Sequence, residues 1–126
     1  MNWSTMITIA LSIWGILFPG ISVRDESNNP AYIYVTSQAW ADNLTQAPNC
    51  IISVLPRNMI GFSDSTVQNV ITHEVGHCLG LEHISQPGLM YPDASQYPFS
   101  GYDRSEFWHH YPAPNQYILT NLGADH

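Results

Sequence analysis

Charge is what this chain has least of. Only 10% of its 126 residues are charged, and three basic residues stand against ten acidic ones, for a formal net charge of −7. So little positive charge argues against nucleic acid or an anionic membrane as a partner. There is no internal repeat and no low-complexity block. The apolar run over residues 5–18 is shorter than a bilayer-spanning helix needs. Cysteine is scarce as well. Cys50 and Cys78 are the only two, compatible either with one disulfide in an oxidising compartment or with two buried thiols. What is plentiful is apolar surface: 44% hydrophobic residues in a chain of this length suit one domain with a respectable core.

Against that background one eleven-residue run stands out, His73-Glu74-Val75-Gly76-His77-Cys78-Leu79-Gly80-Leu81-Glu82-His83. His73 and His77 are four apart, so on a helix they share one face, about 6 Å apart along the axis. Their rings can converge on one ion with Zn–N bonds of about 2.0–2.1 Å. Glu74, beside the first histidine, can reach a metal-coordinated water without being a ligand. Gly80 follows the last helical turn and is the residue type that takes φ > 0 there, turning the chain so that His83 returns as a third ligand. Three neutral imidazoles leave a fourth position open, the arrangement of a catalytic zinc and not a structural one. Lone buried histidines are usually core residues. Five fixed residues at these spacings arise by chance in roughly one chain in ten thousand or fewer, which decides for the metal.

The run H-E-x-x-H-x-x-G-x-x-H, with Met90 seven residues downstream, resembles the metzincin zinc metalloproteases. Gly88-Leu89-Met90-Tyr91-Pro92 is similar to the Met-turn of the matrixin branch, the matrix metalloproteinase type of catalytic domain. The resemblance implies that Met90 forms a hydrophobic floor under the histidines without binding metal. Two weaker segments extend it. Ala10-Leu11-Ser12-Ile13-Trp14, then Pro19 and Val23, resembles the end of the family's first long helix and the strand after it. Ser100-Gly101-Tyr102-Asp103, then Phe107 to Tyr111, resembles its last helix, with Ser100 as N-cap and Asp103 as the acid that buttresses the Met-turn. The likeness spans about residues 3–111.

The expected fold is α+β: a small twisted mixed sheet with a first helix, a central metal-binding helix and a C-terminal helix. Residues 1–111 are read as a single catalytic domain and 112–126 as an irregular tail. The first helix is expected over 3–18, stopped by Pro19-Gly20. Read as a helix, the segment leaves no export signal and no strand ahead of it, which implies a truncated or minimal member; read as a signal-peptide core, it lacks a preceding basic residue. Strands are expected at Ile21–Val23, Tyr32–Thr36, Ala39–Ala41 and Cys50–Leu55. The central helix should begin at an N-cap of Ser63 or Asp64, with Ser65 and Gln68 as a further capping pair. Val67, Val70, Ile71, Val75, Cys78 and Leu79 form its core stripe, and Ser100–His110 the last helix.

By resemblance the chain is a zinc-dependent endopeptidase with one catalytic zinc, Glu74 as general base for the zinc-coordinated water, and extended peptides or proteins as substrates docked along an edge strand. A secreted, monomeric protein without nucleic-acid or membrane partners is expected. The alternative is a catalytically weak or inactive zinc-binding peptide-recognition module, or a protease fragment. Some features depart from matrixins. Between Thr36 and Cys50 there is too little chain for the loop that holds the family's structural zinc and calcium, so no second structural zinc is expected. Ala94 stands where a pocket-wall tyrosine is usual. His109, His110 and His126 read as surface residues, and Asn2 and Asn43 begin glycosylation sequons.

Overall fold

The computed structural model describes residues 2–16, 20–28 and 50–111, and the backbone of 41–43. Helix α1, Trp3–Trp14, starts at Asn2, whose side chain accepts a hydrogen bond from the Thr5 amide at 3.1 Å. It ends four residues earlier than the apolar pattern suggested. Gly15 takes φ 80°, and its N–H returns to Leu11 O. The left-handed glycine closes the last turn before proline chemistry comes into play. Met6, Ile7, Ala10 and Trp14 are buried while Thr5, Thr8 and Ser12 face out, so the polar stripe lies opposite the packed face.

The sheet has three strands among the described residues: β1 (Ile21–Asp25), β2 (Ala41–Asn43) and β3 (Cys50–Val54), in the order β1-β3-β2. β1 runs parallel to β3, with Ile21 opposite Cys50, and β2 runs antiparallel to it, with Ala41 opposite Val54. The sheet is therefore mixed, as expected. β1 extends two residues past Val23, and β2 begins at Ala41 where the expected strand ended. The expected strand Tyr32–Thr36 and the tail 112–126 lie outside the described residues. Cys50, Ile52 and Val54 alternate onto one face and are all fully buried. That face meets the central helix, because Cys50 is disulfide-bonded to Cys78.

The central helix α2, Asp64–Cys78, follows a short 3-10 turn at Pro56–Met59. Its N-cap is Ser63, which accepts from the Thr66 amide. Gln68 does not join a cap. Its amide donates to Met6 O at 2.9 Å and ties α2 to α1. The stripe Val67, Val70, Ile71, Val75, Cys78 and Leu79 is buried throughout, each large aliphatic side chain contributing about 1.5–3 kcal/mol. From Leu81 to Ser100 the chain forms no helix or strand. The last helix, α3 (Gly101–His110), starts in a capping box between Ser100 and Asp103. Arg104 carries α3 back to α1: its guanidinium donates to Trp14 O at 2.8 Å and Ile13 O at 2.6 Å and lies over the rings of Phe99 and Phe107. A cation thus sits on the C-terminal end of α1, where helical carbonyls lack partners.

Candidate metal centre

Near the end of α2, His73 and His77 project one turn apart, and the chain then reverses to deliver His83. The reversal is a Schellman turn. Gly80 takes φ 88°, its N–H donates to His77 O at 2.9 Å, and Leu81 N–H donates to Gly76 O at 3.0 Å. The three imidazoles form one cluster, with ring centroids 4.7, 4.9 and 5.3 Å apart. Each offers a ring nitrogen, and these atoms lie within 4.8 Å of one another. The rings of His73 and His77 are buried, and His83 stands at the more open edge.

Backbone carbonyls fix the tautomers. His73 Nδ1 lies 2.6 Å from Leu89 O, and His77 Nδ1 lies 2.7 Å from Leu81 O. A carbonyl oxygen only accepts, so each Nδ1 carries the proton and each Nε2 presents a lone pair to the cluster. Those two Nε2 atoms are 3.1 Å apart. Two lone pairs held so close need a cation between them, either a proton or a metal ion. His83 Nε2 is buried and has no hydrogen-bond partner among the described residues, which costs free energy unless an ion takes it up. The donor set therefore fits a borderline-soft divalent metal such as zinc. Glu74 is 2% exposed, with Oε2 3.9 Å from His73 Nε2. The carboxylate points at the imidazoles rather than into the apolar core.

Met90 lies beneath the helix. A Cβ added to Gly76 would come within 2.5 Å of Met90 Sδ and 2.8 Å of the Trp14 ring. Gly76 is thus the gap through which Met90 and Trp14 approach the helix backbone. This role was not read from the sequence, although a glycine inside a helix costs about 1 kcal/mol against alanine and so signals a close approach. Asp103 holds the turn from the far side. Its carboxylate accepts from Leu89 N–H at 2.7 Å, Met90 N–H at 2.8 Å and Ser100 N–H at 2.8 Å. Gly88 makes room for it, since a Cβ there would meet Asp103 Oδ2 at 2.7 Å and Ser100 Oγ at 2.6 Å. The structure brings His73, His77 and His83 together, sets Glu74 beside His73 and Gly80 in the turn between the second and third histidines, and ties Asp103 to the Met90 amide. The two orienting carbonyls, of Leu81 and Leu89, carry no side-chain signal and were invisible in the sequence.

Within this small α+β fold, three convergent histidines could hold a metal ion, and a buried carboxylate stands beside them. The matrixin family model matches residues 24–108, more than half of the chain. The chain belongs to the matrixin family, and α1 lies ahead of the matched span. No curated protein and no solved structure matches it. Matrixins are generally secreted, and the Cys50–Cys78 disulfide is consistent with an extracellular protein. No helix among the described residues is long and apolar enough to cross a membrane.

Proposed function

We propose that this chain is a zinc-dependent endopeptidase that hydrolyses extended peptide segments, with residues 1–111 as its catalytic domain. His73, His77 and His83 hold the ion, and Glu74 is the general base. The observation that carries this reading is the convergence of three imidazoles with the Glu74 carboxylate, 3.9 Å from His73 Nε2. When bound, zinc would polarise the scissile carbonyl and lower the pKa of a coordinated water to about 7. Glu74 takes the proton of the attacking water and passes it to the leaving amine. Burial keeps that carboxylate out of bulk solvent and aimed at the reacting atoms. Leu89 O and Leu81 O hold the His73 and His77 rings in the one tautomer that turns Nε2 inward, the role that carbonyls around metal-binding histidines generally play. Met90 and Gly80 set the floor and the turn, and Asp103 fixes the floor. The substrate backbone lies extended along an edge strand, adding its own hydrogen bonds.

The test is a mixed peptide library incubated with the zinc-loaded chain and with Glu74→Ala, cut sites being read by mass spectrometry. Chelator-sensitive cleavage by the wild type and none by Glu74→Ala, with zinc content equal in both, is the expected result. Undiminished cleavage by Glu74→Ala contradicts the assignment. Zinc uptake and peptide binding without cleavage by the wild type would instead identify a peptide-recognition module. Replacing any of the three histidines should lower zinc content before anything else, and a variant with full occupancy removes that residue from the set.

A further inference from the structure

α3 contributes no histidine to the cluster, yet both of its ends reach toward it. At its start Asp103 holds the turn whose Leu89 carbonyl orients His73. At its end the Tyr111 hydroxyl donates to Leu79 O at 2.6 Å. Leu79 is the C-cap of α2 and is fully buried. Its carbonyl belongs to the last turn, where helical oxygens have no partner within the helix. The neighbouring oxygens of Gly76 and His77 are taken by the Schellman amides of Leu81 and Gly80.

The segment Leu79–Leu81 does two things at once. Through Leu81 O it accepts from His77 Nδ1, and two residues further on it delivers His83. Tyr111 is placed by the backbone, since its amide donates to Phe107 O at 2.8 Å, a bond that does not depend on the Phe107 ring packed 5.0 Å from its own. Burial pushes its hydroxyl pKa up to about 12, so it stays a donor at any working pH.

We infer that Tyr111 is a positioning residue for the metal: by bonding Leu79 O it holds the turn that orients His77 and launches His83. This rests on the reading of the three histidines as the zinc site. Without the hydroxyl, Leu79 O is buried without a partner, and the turn between the second and third histidines gains freedom to reorient. The C-terminal helix then determines zinc affinity while touching neither metal nor substrate.

The experiment compares the full wild-type chain with Y111F, which keeps the ring, and with Phe107→Leu, which removes the ring's neighbour and keeps the hydroxyl. Zinc dissociation constants are measured by competition with a chromophoric chelator, at a temperature where circular dichroism shows the zinc-free wild type folded. Visible spectra of the cobalt(II) forms report the geometry at the metal. The expected result is zinc binding by Y111F weakened about ten-fold, the lower end of losses seen when supporting hydrogen bonds around metal ligands are removed. An altered cobalt spectrum should accompany it, while Phe107→Leu retains wild-type affinity and spectrum. Equal affinity in Y111F and wild type, an equal loss in Phe107→Leu, or a zinc-free Y111F that does not fold each overturns the positioning role in favour of a purely structural one. A wild-type chain that takes up no zinc overturns the metal reading itself, and this inference with it.

Discussion

The two faces of α2 are buried to the same degree by opposite means. Toward the sheet, Val67, Val70, Ile71, Val75 and Cys78 meet apolar partners and need no particular alignment beyond close packing. Beside that stripe His73, Glu74 and His77 are no more exposed, at 0%, 2% and 1%, but burying polar groups is costly unless each finds a directed partner. The histidines find theirs in two carbonyls of irregular chain, Leu89 O and Leu81 O. The comparison explains why the stretch from Leu81 to Ser100 forms no regular element: its peptide groups serve the cluster and its supports instead of a ladder. It also explains why that stretch is tied down so heavily, by Asp103 and by the Ile84 amide bonding Met90 O at 3.0 Å.

Substitutions on each face should break the comparison in different currencies. The largest effect is expected on the polar face. Glu74→Gln should lower kcat/KM by about 10²–10⁴-fold, the contribution of a positioned general base, with the melting temperature and zinc content nearly unchanged. Next is Asp103→Asn, which sets an NH2 donor against backbone N–H groups that the carboxylate accepts from; a loss of about 2–4 kcal/mol in a denaturant titration is expected, together with weaker zinc binding. On the apolar face the Cys50→Ala/Cys78→Ala pair opens a loop of 28 residues. Chain entropy puts that loss at about 3.5 kcal/mol, with zinc affinity retained so long as the protein is folded. Gly76→Ala probes the boundary between the faces. A methyl group 2.8 Å from the rigid Trp14 ring costs about 1–3 kcal/mol, partly offset by about 1 kcal/mol of helix propensity. A net fall in stability should show in the denaturation midpoint.

The smallest effect is a slope with pH. The Tyr111 hydroxyl is raised by burial from 10.0 to about 12. The folded chain therefore holds this proton more tightly than the unfolded one. Stability from this source is complete below pH 10 and falls as the pH rises through about 12. Y111F should lose that share of the alkaline decline, measured as unfolding free energy against pH beside the phenolate absorbance.

How much of this was legible follows from distance along the chain. His73, Glu74, His77, Gly80 and His83 fall within eleven residues, and helical periodicity plus one turn brings them together, so their spacing carries the geometry. The N-cap at Ser63, the start of α3 at Ser100 and the core stripe of α2 are local in the same sense. The end of α1 was misjudged because the apolar pattern continues past Gly15, and only the backbone conformation adopted there reveals the stop. Gln68 was misjudged for a related reason. A capping role and a bond to Met6 O are equally open to a glutamine until α1 packs beside it.

The sequence by itself determined the chemistry: which nitrogens and which carboxylate are present, and that one helix and one glycine turn set them at a spacing suited to a metal. Only the tertiary structure decided the rest. The pairing of Cys50 with Cys78, the carbonyls that select the histidine tautomers, and the reach of Asp103 and Tyr111 from α3 depend on contacts between distant parts of the chain. The physical reason is that a backbone carbonyl is the same at every position, so nothing in the order of residues marks which one will meet an imidazole until the chain has packed.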